Sequence, residues 1–169
     1  MTDPQDSTDT TRTVANDWYQ RSSTVAVGHY KTAEYLAQKH RRLSGWSAVL
    51  SAIVGTAVFG TLQSNPDNVV KIVVGLLSVV AAVLATISTS MGYQEKAESH
   101  RMAGAKYNSV GRSLELLRAA PTIDVTQLGT LRDRLDALAA EMPHIPKHVH
   151  EEIAKDEDIG KWGSKHKKN

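Results

Sequence analysis

Residues 72–93 read IVVGLLSVVAAVLATISTSMGY, and residues 45–62 read GWSAVLSAIVGTAVFGTL. No formal charge interrupts the chain from Leu43 to Pro66, nor from Ile72 to Gln94. At a rise of about 1.5 Å per helical residue, ~20 apolar residues cross a hydrocarbon layer of ~30 Å. Each run is long enough to do so. A hairpin buried inside a soluble protein would turn a polar face to water, and neither run carries a charged one. We therefore expect two membrane spans, at about 43–64 and 72–94. The segment from Gln63 to Lys71 joins them, with Asn65, Pro66, Asp67 and Asn68 supplying turn chemistry.

The mean hydropathy of −0.32 conceals this segregation, because the remainder of the 169 residues is polar. That length suits one functional unit. A net charge of +2 leaves no bulk footprint for nucleic acid, which is not expected as a partner. The absence of cysteine excludes disulfide frameworks, thiolate metal sites and cysteine nucleophiles.

Orientation follows from the flanks, since Lys and Arg close to a span tend to remain cytoplasmic. Lys31, Lys39, Arg41 and Arg42 precede the first run, and Lys96, Arg101, Lys106 and Arg112 follow the second; Lys71 stands alone between them. Both termini are thus expected in the cytoplasm, in a multi-pass membrane protein. Arg41, Arg42, Trp46, Tyr93 and Lys96 are the expected interfacial anchors, the two rings lying at the cytoplasmic ends of their spans. Asp3, Asp6 and Asp9 stand where a cleavable signal needs basic residues, so the first span is expected to act as an uncleaved anchor.

The remaining chain reads as helix. Residues 1–13 are short, polar and acidic, and are expected to be a disordered lead. Residues 14–118 are expected to form the two-span hairpin with its helical extensions. The first extension has Asp17 as a possible cap, Gly28 as a weak point, and Trp18, Ala26, Tyr30, Ala33 and Ala37 at mostly helical spacing; it runs into the first span. Beyond the second span an unbroken helix is expected to carry Ala103, Tyr107, Val110, Leu114 and Leu117, alternating steps of four and three as a coiled-coil seam does. Pro121 ends it. Residues 119–169 then supply an amphipathic helix with Leu128, Leu131, Leu135, Leu138 and Met142, stopped by Pro143 and Pro146, and a charged tail. The two amphipathic helices can pair as a hairpin around 119–124. Their seams are the expected drive for self-association. Arg132 and Asp136 form an i,i+4 pair of the weaker orientation.

Few patterns suggest chemistry. Gly55 and Gly60 have phosphate-loop spacing, but Thr61 stands where the lysine belongs and the segment lies within a span. His144, His148 and His150 are close in sequence, yet Pro146 interrupts helical geometry between the first two, so a solvated cluster is favoured over a metal site. His29 and His100 flank the spans and are read as interfacial hydrogen-bonding groups. No triad and no carboxylate pair in an apolar setting is recognisable. No cofactor and no enzymatic activity is expected.

The spans hold the most specific pattern. Ser44, Ala48, Ala52, Thr56 and Gly60 recur every four residues, with Ser47, Ser51 and Gly55 beside them; Ser78, Ala82, Thr86 and Ser90 do the same in the second span. Small residues let helix backbones approach closely in lipid. The plain reading is packing within the hairpin, with two lines on one helix pointing to more than one partner. The alternative is hydroxyls lining a water-filled path in an oligomer.

With HYKTAEYLAQKHRRLSGW before the first span, YQEKAESHRMAGAKYNSVGR after the second and helices ending in MPHIP, the chain resembles the SLATT family over roughly residues 18–150. These are two-transmembrane effectors associated with SMODS nucleotide synthetases and SLOG sensor domains in bacterial defence islands. The resemblance implies an all-α membrane effector, pore-forming or membrane-disrupting, that acts on its own cell in abortive antiviral defence. It brings no catalytic motif. Its implied partners are the lipid bilayer, further copies of the chain, and a separate nucleotide-signalling or sensor protein. A membrane anchor or scaffold that recruits a cytoplasmic partner without conducting is the alternative.

Overall fold

The computed structural model describes residues 4–61 and 67–155, and side-chain surroundings over 9–60 and 67–155. Five helices follow in order: α1 Pro4–Thr61, α2 Asn68–Ser90, α3 Tyr93–Ala119, α4 Val125–Glu141 and α5 Lys147–Lys155. No strand occurs among the described residues, and the fold is all-α. The chain divides into two compact units. One, the hairpin unit, is Glu34–Ala97; the other, the helical body, gathers the chain up to Ala33 and from Glu98 onward. This division cuts across the boundary expected at 118/119, because the two segments of the helical body pack on each other although they are far apart in sequence.

In the helical body, α1 buries Ala15, Ser22, Ala26, His29 and Ala33, alternating steps that hold one face of a helix. The facing residues on α3 are Ala103, Tyr107, Val110, Leu114 and Leu117, all buried. Small residues set the approach of these helices: a Cβ at Gly104 would stand 3.1 Å from the Ala26 carbonyl oxygen and from the Tyr30 ring, and one at Gly111 would stand 3.1 Å from Ser22 Oγ. Leu114 is fully enclosed, in a cluster with Ala15, Val110, Leu117, Leu128 and Leu131, against which Val14, Trp18, Tyr19, Leu135 and Leu138 pack. Most residues of the seams expected to join separate copies are therefore buried within one chain, with Leu135 and Leu138 half-buried. Their partner is the N-terminal part of α1, whose small, polar-looking face gave little apolar signal.

The same contacts explain the N-terminal segment. Disorder is expected over 1–13, but α1 is helical from Pro4 onward, and residues 1–3 lie outside the described ones. Arg12 donates to the carbonyls of Ala120 and Pro121 at 3.0 and 3.3 Å, and Val14 and Ala15 enter the core one turn later. Asp17 consequently lies inside the helix, paired with Arg21 at 2.8 Å, and caps nothing. Across the body, Arg118 stacks 4.2 Å above the Tyr19 ring and donates to Asn16 Oδ1 at 2.6 Å.

The helix expected to continue unbroken from the second span is interrupted at Met91 and Gly92. Gly92 has φ +57, a left-handed conformation that a Cβ disfavours, and it follows the last turn of α2 as a helix-ending glycine does. Met91 and Gly92 N–H groups donate to the Ile87 and Thr89 carbonyls, and Lys96 N–H to the Gly92 carbonyl, starting α3. The helix α2 thus ends at Ser90. Between α3 and α4 the expected hairpin is present, with Asp124 Oδ1 accepting from Thr126 N–H at 2.8 Å as an N-cap. Arg132 pairs with Asp133 at 2.7 Å rather than with Asp136. The tail opens with α5, which buries Val149 and Ile153. Gly28, read as a weak point of the first helix, is where α5 docks: a Cβ there would stand 2.8 Å from Ile145 Cδ1 and 3.1 Å from Ile153 Cδ1. Residues 156–169, including the basic end of the tail, lie outside the described ones.

Two substitutions test this core. Leu114→Ala should cost about 2–5 kcal/mol in chemical unfolding of the helical body. Gly104→Val, which drives a branched side chain into the Ala26 carbonyl, should cost about 1–3 kcal/mol. By contrast Gly129→Ala on α4, where a Cβ meets nothing within 4 Å, should stabilise by about 0.5–1 kcal/mol. Equal midpoints for the two glycine variants would contradict the packing described.

Candidate functional site

The hairpin unit has two faces of opposite character. Inward, Ser47 of α1 and Ala81 and Ser88 of α2 are buried. Ser47 Oγ donates to the Ala81 carbonyl at 3.2 Å, Ser44 and Ser88 share a hydroxyl hydrogen bond of 2.8 Å, and His40 Nδ1 reaches Ser88 Oγ at 3.5 Å. Two of the small residues singled out in the sequence, Ser44 and Ser47, thus join the helices, chiefly through hydrogen bonds.

The rest of the four-step lines does not lie in this contact. Ala48, Ser51, Ala52, Thr56, Gly60, Ala82, Thr86 and Ser90 are exposed, while Gly55 and Ser78 are half-buried. A Cβ at Gly55 would meet nothing within 4 Å, so no close backbone approach occurs there within the chain. The geometry explains the difference. At about 100° per residue, a step of four advances 40° around the helix, and a line of five such residues winds off any one face. Alternating steps stay on it: Ser44, Ser47, Leu50 and Val54 on α1, with Val74, Leu77, Ala81, Leu84 and Ser88 on α2, are buried or half-buried.

The outward face is apolar. Trp46 is 65 % exposed, Phe59 75 %, Ile72 63 % and Leu76 63 %, and Val49, Ile53, Val69, Val79 and Val83 are exposed beside them. A water-soluble protein does not display contiguous apolar surface on this scale without a partner. Both helices are long and apolar enough to cross a membrane. Four of their hydroxyls make no demand on solvent, because Thr56, Ser78, Thr86 and Thr89 donate to carbonyls four residues earlier in their own helices at 2.8–3.0 Å.

The anchors cluster near one end of this unit. Lys39 Nζ sits over the Tyr93 and Tyr35 rings, 5.1 and 5.8 Å from their centroids. Arg41, Arg42 and Lys96 are exposed, and Trp46 follows on α1. This alternation of cations and amphipathic rings suits a lipid headgroup boundary.

In the helical body, His29 and His100, read as interfacial groups, are instead buried and face each other with Nδ1 atoms 3.0 Å apart. Burial foremost, then the neighbouring His100 and His150, lower the His29 imidazole to about 4; burial also lowers His100 and pushes the Tyr107 phenol up. Their pairing was not legible from their separation of seventy-one positions. His144, His148 and His150 are exposed, and no three His, Asp or Glu side chains among the described residues are placed to hold a metal ion.

Comparison with known proteins agrees with this architecture. No curated protein and no solved structure matches the chain. Residues 14–158 match the SMODS and SLOG-associating 2TM effector domain family 4. That match takes in the first extension, both apolar helices and everything through α5. The chain is a membrane protein, and it belongs to the SLATT family of two-transmembrane effector domains.

Proposed function

We propose that this protein is a defence effector that assembles into a homo-oligomer in the bacterial cell membrane and perforates or disrupts it when a separate nucleotide-signalling or sensor protein triggers it. Both termini lie in the cytoplasm in this reading. The observation that carries it is the exposure of Ala48, Ala52 and Thr56 on α1 and of Ala82 and Thr86 on α2, away from the contact that closes the hairpin. Small exposed residues on an uncharged helix are where a second helix can approach closely in lipid, since dispersion and not water exclusion holds helices together there. Family membership supports the effector role. Without a charged ring in either span, such a pore would discriminate weakly between ions.

One observation favours the alternative of a non-conducting anchor. The hydroxyls of Thr56, Ser78 and Thr86 are satisfied by their own helices, so these three need no water-filled path. The two readings differ in what they do to the membrane potential.

The test is expression with a potential-sensitive dye, comparing the wild type with Ala52→Leu, Ala82→Leu and Ala81→Leu. Assembly through the exposed line predicts that wild type depolarises the cell. Ala52→Leu and Ala82→Leu should abolish depolarisation yet leave a folded, inserted hairpin. Ala81→Leu should damage the hairpin itself, because Ala81 is buried. An unchanged potential in every strain, with the cognate defence system activated, would eliminate the pore.

A further inference from the structure

The contact between His29 and His100 is unusual in its chemistry. It lies at the end of the helical body next to Ala33 and Glu98, where the chain passes to and from the hairpin unit. His29 is 2 % exposed and His100 6 %, and their ring centroids are 5.2 Å apart. The His29 ring also stacks on Tyr107, at 5.5 Å and an interplanar angle of 17°. Gly104, between His100 and Tyr107 on α3, leaves no slack: the Ala26 carbonyl of α1 already stands 3.1 Å from where a Cβ would be.

Two imidazole Nδ1 atoms 3.0 Å apart form a hydrogen bond only if one ring donates and the other accepts. The neutral pair therefore joins an Nδ1–H tautomer to an Nε2–H tautomer. A first proton from solvent can bind Nε2 of the donating ring, and the bond survives as a charge-assisted one. A second proton must take the accepting Nδ1 itself. That removes the acceptor and sets two N–H groups and two positive charges against each other.

Among the described residues, the surroundings offer no compensation. From α1, Lys31 is engaged with Glu152 of α5 at 3.0 Å. From α3, Tyr107 presents a phenol whose deprotonation burial disfavours, while Glu98 and Arg101 pair with each other at 3.6 Å on the exposed side. From α5, His150 adds positive charge when protonated and lowers His29 further. Among the described residues, no carboxylate is one of the groups that shift His29.

We infer that the His29–His100 pair is a two-proton latch between α1 and α3, closed by one shared hydrogen bond when neutral and forced open when both rings carry a proton. The sign follows from the direction of the shifts. A histidine whose pKa is lower in the folded protein than in the unfolded chain stabilises the fold above the unfolded value of 6.5. That contribution is lost as the pH falls from 6.5 toward about 4, the value of His29. The latch stands on the helical body alone and does not depend on the assembly proposed above.

The absence of cysteine makes a direct test available. Ala103, fully buried and three residues after His100 on α3, is replaced by cysteine in the full chain in lipid nanodiscs, and its rate of modification by a maleimide is followed from pH 7.5 to 4.5. The same substitution is placed in chains that also carry His29→Gln or His100→Gln, since Gln keeps a donor and an acceptor but does not titrate. Comparing rates at equal pH cancels the intrinsic titration of the thiol. All three chains should be protected at pH 7.5. At pH 4.5 the chain with both histidines should react about tenfold faster than either Gln chain, a ratio that corresponds to about 1.4 kcal/mol of opening. Rates that keep the same ratio at every pH would overturn the latch, and agreement of the two Gln chains guards against a misfolded variant.

Discussion

Large apolar side chains that face outward from an uncharged helix pair have one stable environment, and the rest of the structure is arranged around that constraint. Trp46, Phe59, Ile72 and Leu76 are each more than half exposed although they belong to the most apolar part of the chain. In water, each would lose about 1.5–3 kcal/mol relative to burial. In lipid the loss vanishes, but every polar group then has to be satisfied by the protein. The hairpin meets that demand locally: hydroxyls bond carbonyls of their own helices, and Ser44, Ser47 and Ser88 bond across the pair.

The helical body solves the opposite problem with the same chain. Its helices are mostly polar, and a core forms because α1 returns a narrow face of Ala, Ser and His to the Leu-rich face of α3 and α4. Close approach at Gly104 and Gly111 substitutes for bulk on α1. Leu114, Leu117, Leu128 and Leu131 of the seams are buried within the chain, whereas Leu135 and Leu138 are half-buried and Leu116 is exposed.

The two apolar runs and the α3–α4 hairpin were legible in the sequence because charge-free length and alternating leucine spacing are strong, local signals. Two other features were not. Ala15, Ser22 and Ala26 are small or polar enough to resemble a solvated helix until Leu114 and Val110 are placed against Ala15, and Gly111 and Gly104 against Ser22 and Ala26, and a pairing of that span leaves no periodic trace. The small residues of the spans divide between two faces: Ala48, Ala52 and Thr56 share a four-step line with Ser44, yet that line turns with the helix, and of these four only Ser44 is in the contact within the chain. Gly92 carried no signal beyond being glycine, and its left-handed backbone is what separates α2 from α3.

The proposed function turns on whether the chain crosses the bilayer and returns, so that the start of α2 faces the outer side. Because the chain lacks cysteine, single substitutions Asn68→Cys and Ala140→Cys can be labelled with a membrane-impermeant maleimide in intact spheroplasts and in everted vesicles. The account predicts that Asn68→Cys is labelled only from the outer side and Ala140→Cys only in the everted vesicles. Labelling of both positions from one side, or recovery of the protein in the soluble fraction, would contradict it.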